Sequence, residues 1–430
     1  MASLGEKPLT RRLSFLGPRN MNWRIWSATV LGISTVVTAA GYTIAADTPT
    51  SVSWKKTIIE GQFRSEGVAI ADVNKDGKRD VLIGDSWYEA PAWSKHDIRK
   101  PGSFGDGLRS YSECMTCWAD DFNGDGWPDQ IVIGFPGVAA YWYENPKGKP
   151  GYWEKHEIWH SACNETPLYA DLFGTGQRVL VMGWQPKGKD NEGQMGWFSP
   201  GSDPTQLWEM HPISEPSRPG KPIPGTQQFA HGLGVGDLNA DGRLDVICTG
   251  GWWEQPASGR TIKSSWAFHP AQLGDAVADM IAYDVNNDGK ADVIASSAHR
   301  YGIWWFEQGD VKDGSPVFTK HDLFPDLVSE THALIAADID GDGNLDLITG
   351  KRFWSHGTSE AGSDKPARLY WFKAARDLEG KTTFTPMEID DQSGIGTQFL
   401  VTDFNGDGLL DIVSSNKKGV FLMEQVRSKQ

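Results

Sequence analysis

DVNNDGKAD, residues 284–292, decides the fold. It sets oxygen-bearing side chains at positions 1, 3, 5 and 9 (Asp284, Asn286, Asp288 and Asp292) around a glycine at position 6. Ca²⁺ takes this ligand chemistry from a tight loop, and the glycine allows the sharp bend. An EF-hand would need helical flanks and a Glu at position 12. Here residues 281–283 before the loop are strand-like, as are 246–250 after an equivalent loop, and position 12 is Ala295. The stretch therefore predicts a metal-clipped β-hairpin turn between two strands.

The same pattern returns along the chain. Asp72, Asn74, Asp76 and Asp80 form the first copy, and Asp121, Asn123, Asp125 and Asp129 the second. After a degenerate third copy come Asp237, Asn239, Asp241 and Asp245, then residues 284–292 themselves. Asp338, Asp340, Asp342 and Asp346 follow, and then Asp403, Asn405, Asp407 and Asp411. The third copy, Asp171 to Val179, has lost three of its four side-chain ligands and is expected to be empty. An Asx-rich turn without metal accounts for the Asn and Gly residues, but not for an Asp at position 9 in all six intact copies. The seven starts lie 47 to 66 residues apart, a period that suits a four-stranded blade rather than a helical hairpin.

A third strand rich in aromatics follows each pair, as in Trp87-Tyr-Glu and Trp252-Trp-Glu, and then a fourth, as in Ser94-Lys-His-Asp-Ile. The last repeat ends without its fourth strand, and the missing copy stands at the other end as Trp54-Lys-Lys-Thr-Ile-Ile-Glu60. The expected fold is all-β: a seven-bladed β-propeller of four-stranded antiparallel blades, closed by the N-terminal strand, which completes the last blade. Closure removes exposed sheet edges.

The composition agrees. Among 430 residues are 49 Gly and 20 Trp, a surplus that turns and blade strands absorb. A net charge of −15 argues against nucleic acid as a partner. Four cysteines (Cys114, Cys117, Cys163 and Cys248) are too few for a disulfide scaffold, and are expected as buried thiols or with a Cys114–Cys163 bridge. A redox or zinc half-site at Cys114-x-x-Cys117 is disfavoured, because residues three apart in a strand point to opposite faces. Residues 1–46 carry Lys7, Arg11, Arg12, Arg19 and Arg24, then an apolar run over 25–40, then Thr43 and Ala45 before Ala46-Asp47. This order predicts an export signal, with Met21 as an alternative start, and a periplasmic or extracellular mature domain over 47–430. An uncleaved anchor is the alternative, and no other membrane contact is expected.

The D-x-[DN]-x-D-G-x-x-D turns resemble the FG-GAP/VCBS repeats of seven-bladed propellers such as integrin α-chains, from Trp54 to about Val426. More narrowly, Phe229-Ala-His-Gly-Leu-Gly-Val-Gly-Asp237, Ser296-Ser-Ala-His-Arg-Tyr-Gly-Ile-Trp-Trp305, Thr331-His-Ala-Leu334, Gly350-Lys-Arg-Phe-Trp354 and Ser415-Asn-Lys-Lys-Gly-Val420 are similar to a bacterial family like the propeller domain of aldos-2-ulose dehydratase. That resemblance implies metal-assisted elimination of water from a keto-sugar. The cupin domain of the fungal enzyme has no counterpart here.

The register of the repeats places the chemistry. Six residues before each loop's first Asp stand Glu66, Met115, Glu165, His231, Ala278, His332 and Thr397, at the mouth opposite the loops. Glu66, Glu165, His231 and His332 are the expected ligands of an axial divalent metal, Mg²⁺ or Zn²⁺, with Glu113, Asn164, Asp279 and Glu330 as orienting neighbours. Loops of the same mouth carry His299, Arg300 and Tyr301, then Lys351 and Arg352, then Lys417 and Lys418, a basic patch in an acidic chain. His299, His231 or His332 would act as base or ligand, Arg300, Lys351 or Arg352 would hold an enolate oxygen, and Tyr301 would protonate the leaving oxygen. Trp184, Trp252, Lys417 and His356 are candidates for contact with a sugar. The expected activity is a carbohydrate lyase or dehydratase working by β-elimination on a keto-sugar. The alternatives are a uronate polysaccharide lyase and a non-catalytic Ca²⁺-stabilised propeller that binds glycan or protein. The insertions over 200–225 and 355–365 are expected to form a rim or an oligomer contact.

Overall fold

Backbone chirality shapes every loop the same way. In the computed structural model, which describes residues 50–429 apart from 190–191, 262, 313–314 and 378, position 6 of all seven loops is a glycine with φ between 80° and 88°. Position 4 is left-handed as well: glycine in four loops, but Lys75, Ala240 and Asn287 in the others, at φ of 60°, 58° and 62°. The carboxylate at position 1 accepts the N–H groups of positions 5 and 6, as Asp284 does from Asp288 (3.0 Å) and Gly289 (2.9 Å). The degenerate third loop closes identically, Asp171 accepting from Thr175 at 2.9 Å and Gly176 at 2.6 Å. The turn therefore forms from Asp and Gly alone.

Position 9 has its own structural work. The buried Asp292 carboxylate accepts Val285 N–H at 3.2 Å and Gln308 N–H at 2.7 Å, fastening the loop to the third strand of its sheet. Asp80, Asp129, Asp245, Asp346 and Asp411 make the same two-sided clamp. This corrects the sequence argument that only a metal accounts for that Asp: a buried carboxylate must be satisfied, and here backbone donors satisfy it.

The sheets are antiparallel runs of four strands. Five are separate, and two further runs join into one eight-stranded sheet through parallel pairing of the inner strands Leu233–Gly236 and Val277–Tyr283. Glycine permits that approach, because a Cβ on Gly234 would lie 2.1 Å from the Met280 carbonyl oxygen. Seven separate blades were expected; the described sheets are five separate ones and the joined one. The N-terminal strand Thr50–Glu60 pairs antiparallel with the C-terminal strand Gly419–Lys429, from Thr50 opposite Lys429 to Glu60 opposite Val420. The apolar core lies between neighbouring sheets: Phe122 and Trp142 of the second repeat, for example, pack with Leu180 and Phe198 of the third.

Five histidines belong to the blades. His96, His156, His211, His269 and His321 sit opposite Trp87, Trp142, Trp197, Trp252 and Trp305 across the third and fourth strands. Each imidazole lies near its indole, with centroids 3.7 to 4.8 Å apart. A nearby Glu (Glu89, Glu144, Glu209, Glu254 or Glu307) pairs with its ring nitrogen at 2.7 to 3.7 Å. No disulfide forms, so the Cys114–Cys163 bridge is not made and all four cysteines are buried. The expected export signal, residues 1–46, lies outside the described residues. Among the described residues no helix is long and apolar enough to cross a membrane.

Candidate metal centre

Ten histidines are in the chain, and the five blade stacks account for half. His160 lies 3.2 Å from the Gln185 carbonyl oxygen, and the other four (His231, His299, His332 and His356) gather at the mouth. Glu165, His231 and His332 stand just before the inner strands Leu168–Ala170, Leu233–Gly236 and Leu334–Ala337, and His299 follows the second strand Asp292–Ser297. Four repeats thus each contribute one side chain, and the ligand atoms of Glu165, His231, His299 and His332 all lie within 4.8 Å of one another.

Their hydrogen bonds show what the cluster accepts. His231 Nδ1 lies 2.9 Å from the Phe229 carbonyl oxygen, which assigns its hydrogen there and leaves a lone pair on Nε2. That Nε2 is 2.7 Å from His299 Nε2 and 3.5 Å from Glu165 Oε2, while His332 Nε2 is 3.0 Å from the same Glu165 oxygen. With the His231 hydrogen committed to Phe229, the Nε2 hydrogens of His299 and His332 are what is left to bridge these contacts, and a cation bound by the four converging donor atoms can take their place. Burial, with neighbouring histidines, lowers His299 to about 3, and burial with the Arg352 charge lowers His332 to about 4. Both rings are therefore neutral near pH 7, the form a metal requires. Burial would raise the Glu165 carboxyl, but its interactions with the neighbouring His231 and His332 outweigh this and hold it well below the usual carboxylate range. Three imidazoles and one carboxylate fit a first-row transition metal such as Zn²⁺, whereas Mg²⁺ favours oxygen.

Around the cluster several expected roles are reassigned. Glu66 does not join it: buried, it accepts Arg352 Nε at 3.1 Å and Nη2 at 2.6 Å. Arg352 is buried too, with Nη1 4.0 Å from Glu165 Oε2, so it borders the cluster as one half of an ion pair. Lys351 is consumed by buried Glu330 and by Ser329 Oγ at 3.2 Å, which withdraws it from the mouth. Arg300 is exposed and its guanidinium has no ion pair among the described residues. Tyr301 packs under the 355–365 insertion against Gly362 rather than at the cluster. Trp252 is 2% exposed, inside a blade stack, and Trp184 packs on Trp159 and His160, so neither indole faces the cluster. Among the orienting neighbours, Glu113 pairs with Arg99, Asn164 bonds the Gly225 carbonyl at 3.1 Å, and Asp279 accepts Leu334 N–H at 3.2 Å.

Lys417 is the notable cation. It is buried, donates to the Trp354 carbonyl at 2.7 Å, lies 4.4 Å over the Tyr111 ring, and has no carboxylate within ion-pair reach among the described residues. Burial lowers it to about 8. Arg352 approaches the same Tyr111 ring, at 5.8 Å, so the cluster, Arg352, Tyr111 and Lys417 are contiguous. Lys418 lies over the Phe353 ring. Sequence reasoning missed Tyr111 and Glu360, because neither stands at a repeat register; Glu360 lies 3.7 Å from His299 and 2.5 Å from His356. Beside His231 opens a polar cavity of about 340 Å³ lined by Gln227, Phe229, Gln272 and Asp275.

Comparison with known proteins agrees with the architecture: residues 284–349 match the FG-GAP-like repeat model. Cartilage acidic protein 1 of Homo sapiens is 25% identical over 392 residues, covering 81% of this chain and 56% of that protein, so the chain spans about half the length of this relative. Among solved structures the chain is similar to an Agrocybe aegerita lectin that recognises non-reducing terminal N-acetylglucosamine, with 14% identity, a TM-score of 0.42, and coverage of 89% and 86% of the two chains. It is also similar to rhamnogalacturonan lyase YesW, with 13% identity, a TM-score of 0.42, and coverage of 87% and 75%.

Proposed function

We propose that this chain is an exported carbohydrate-active lyase or dehydratase that carries out β-elimination on a keto-sugar at a transition-metal centre held by Glu165, His231, His299 and His332. The observation that carries the reading is the convergence of these four ligand atoms, drawn from four repeats, within 4.8 Å. In the same reading the joined eight-stranded sheet is two blades fused at their inner strands, which makes a ring of seven. The six intact Asp loops hold Ca²⁺ and stiffen the ring; Asp338, Asp340 and Asp346 already group within 4.8 Å.

A bound cation of this class would supply a Lewis acid for the substrate's carbonyl oxygen. With the histidines engaged as ligands, the base must come from elsewhere, and Lys417 has the required property: near pH 8 a substantial fraction of a lysine at about 8 is neutral. It takes the proton α to the carbonyl, a C=C bond forms, and the C–O bond at the β carbon breaks. Tyr111, held protonated by burial, stands beside Lys417 to give the departing oxygen its proton. Arg352 adds positive charge at the cluster's edge. The cavity of about 340 Å³ beside His231 offers amide and carboxylate partners for sugar hydroxyls.

Incubating Zn²⁺-loaded protein with 1,5-anhydrofructose, 3-keto-glycosides and uronates, and following the ultraviolet absorbance of an unsaturated product, tests the reading. Product from at least one class, lost in Lys417→Met and in His231→Ala, is expected. Silence across all three would move the chain to the binding reading, with the cavity as a glycan subsite.

A further inference from the structure

His299 faces two ways. Its Nε2 points into the four-residue cluster, 2.7 Å from His231, while its Nδ1 is buried, has no hydrogen-bond partner, and lies 3.7 Å from Glu360 Oε1. Glu360 belongs to the 355–365 insertion, which no other repeat carries in this form, and it is also bonded by His356 Nδ1 at 2.5 Å. The His356 ring stacks on His299 with centroids 4.7 Å apart and planes 23° apart. Both Nδ1 atoms thus converge on one carboxylate oxygen.

We propose that Glu360 is the positioning residue of the metal centre: it draws the hydrogen of His299 to Nδ1, so that Nε2 presents its lone pair to the cation. This rests on the metal reading above and names a residue outside the ligand set. A buried ring N–H without an acceptor carries a desolvation cost that no partner returns. Glu360 is the carboxylate that removes that cost once His299 turns by a few tenths of an ångström. His231 already has the equivalent arrangement, with Phe229 O in the role of Glu360. A carboxylate or carbonyl behind a ligating imidazole fixes its orientation and raises its basicity.

The insertion is built to hold this carboxylate still. At its root Ser355 N–H donates to Glu330 at 3.0 Å and Ser355 O accepts from Tyr111 at 2.8 Å. Trp354 Nε1 spans the insertion to Ser363 O at 3.0 Å. At its far side Gly362, at φ 80°, presses so closely on the Tyr301 and Ser329 hydroxyls that a Cβ would not fit. The insertion is therefore a fixed wall of the site. Its two ionisable groups nearest the cluster, His356 and Glu360, act through His299.

Zn²⁺ affinity measured by competition with a chromophoric chelator tests this on the full chain. Glu360→Ala is expected to weaken binding about 10- to 100-fold, with one Zn²⁺ per mouth retained and the melting temperature of the metal-free protein unchanged. Glu360→Gln keeps an acceptor oxygen and should recover most of the affinity. Affinity of Glu360→Ala within twofold of the parent, while His231→Ala abolishes binding, would overturn the role of Glu360 and leave the metal centre standing. Equal loss in the Ala and Gln variants, or loss of a second equivalent of Zn²⁺, would overturn it in favour of a direct ligand. No Zn²⁺ bound at a His231-dependent site in the parent would overturn the metal reading itself.

Discussion

At the residue scale, register was a good guide to position and a poor one to partner. Glu165, His231 and His332, each six residues before a loop, do stand within 4.8 Å of one another, because equivalent positions of repeated blades face the same way. The same count placed Glu66 there, yet Glu66 is claimed by Arg352, a contact between residues 286 apart that no local pattern encodes. His299 was legible as a mouth residue and proves a member of the cluster, while Glu360 depends on how an insertion folds back. Asp279, on an inner strand beside the axial channel, gives a test of burial: its carboxyl is raised to about 7 from an ordinary 3.8. Between about pH 4 and 7 the folded chain therefore holds a proton that the unfolded chain has lost, and stability falls as pH rises through that window. Asp279→Asn removes this penalty, so the melting temperature of the variant minus that of the parent is expected to grow from pH 4 to 7 and then level off. A difference that does not change with pH would contradict the burial account.

At the element scale, the hairpin loops were almost fully legible, since Asp at position 1 and Gly at position 6 fix the turn whatever else is present. The third loop proves this by closing without its ligands. Position 9 was misread because a sequence shows a carboxylate but not the two backbone donors it meets. Those clamps leave lone pairs on each oxygen, so the loops serve both as folding devices and, on our reading, as Ca²⁺ sites. Adding Ca²⁺ to chelated protein should raise its melting temperature. A free concentration of 100 times Kd corresponds to about 2.7 kcal/mol per occupied loop. Asp284→Asn together with Asp288→Asn should shrink that rise, whereas the same calorimetric scan showing no response to Ca²⁺ would leave the loops as metal-free clamps.

At the scale of the whole molecule, closure was visible from arithmetic: a strand missing at one end and present at the other, realised as the pairing of Thr50–Glu60 with Gly419–Lys429. The fusion of two runs through Leu233–Gly236 and Val277–Tyr283 was not, because it depends on how closely small residues let inner strands approach. The division of the histidines is also a property of the whole chain. Half stack on blade tryptophans, and four of the rest meet at one mouth, which turns a scattered composition into a candidate centre. The most direct test is an anomalous difference map recorded at the zinc absorption edge from crystals soaked in Zn²⁺. A single strong peak within bonding distance of Glu165, His231, His299 and His332 is the predicted result, and a mouth without a peak while zinc occupies only the Asp loops would contradict it.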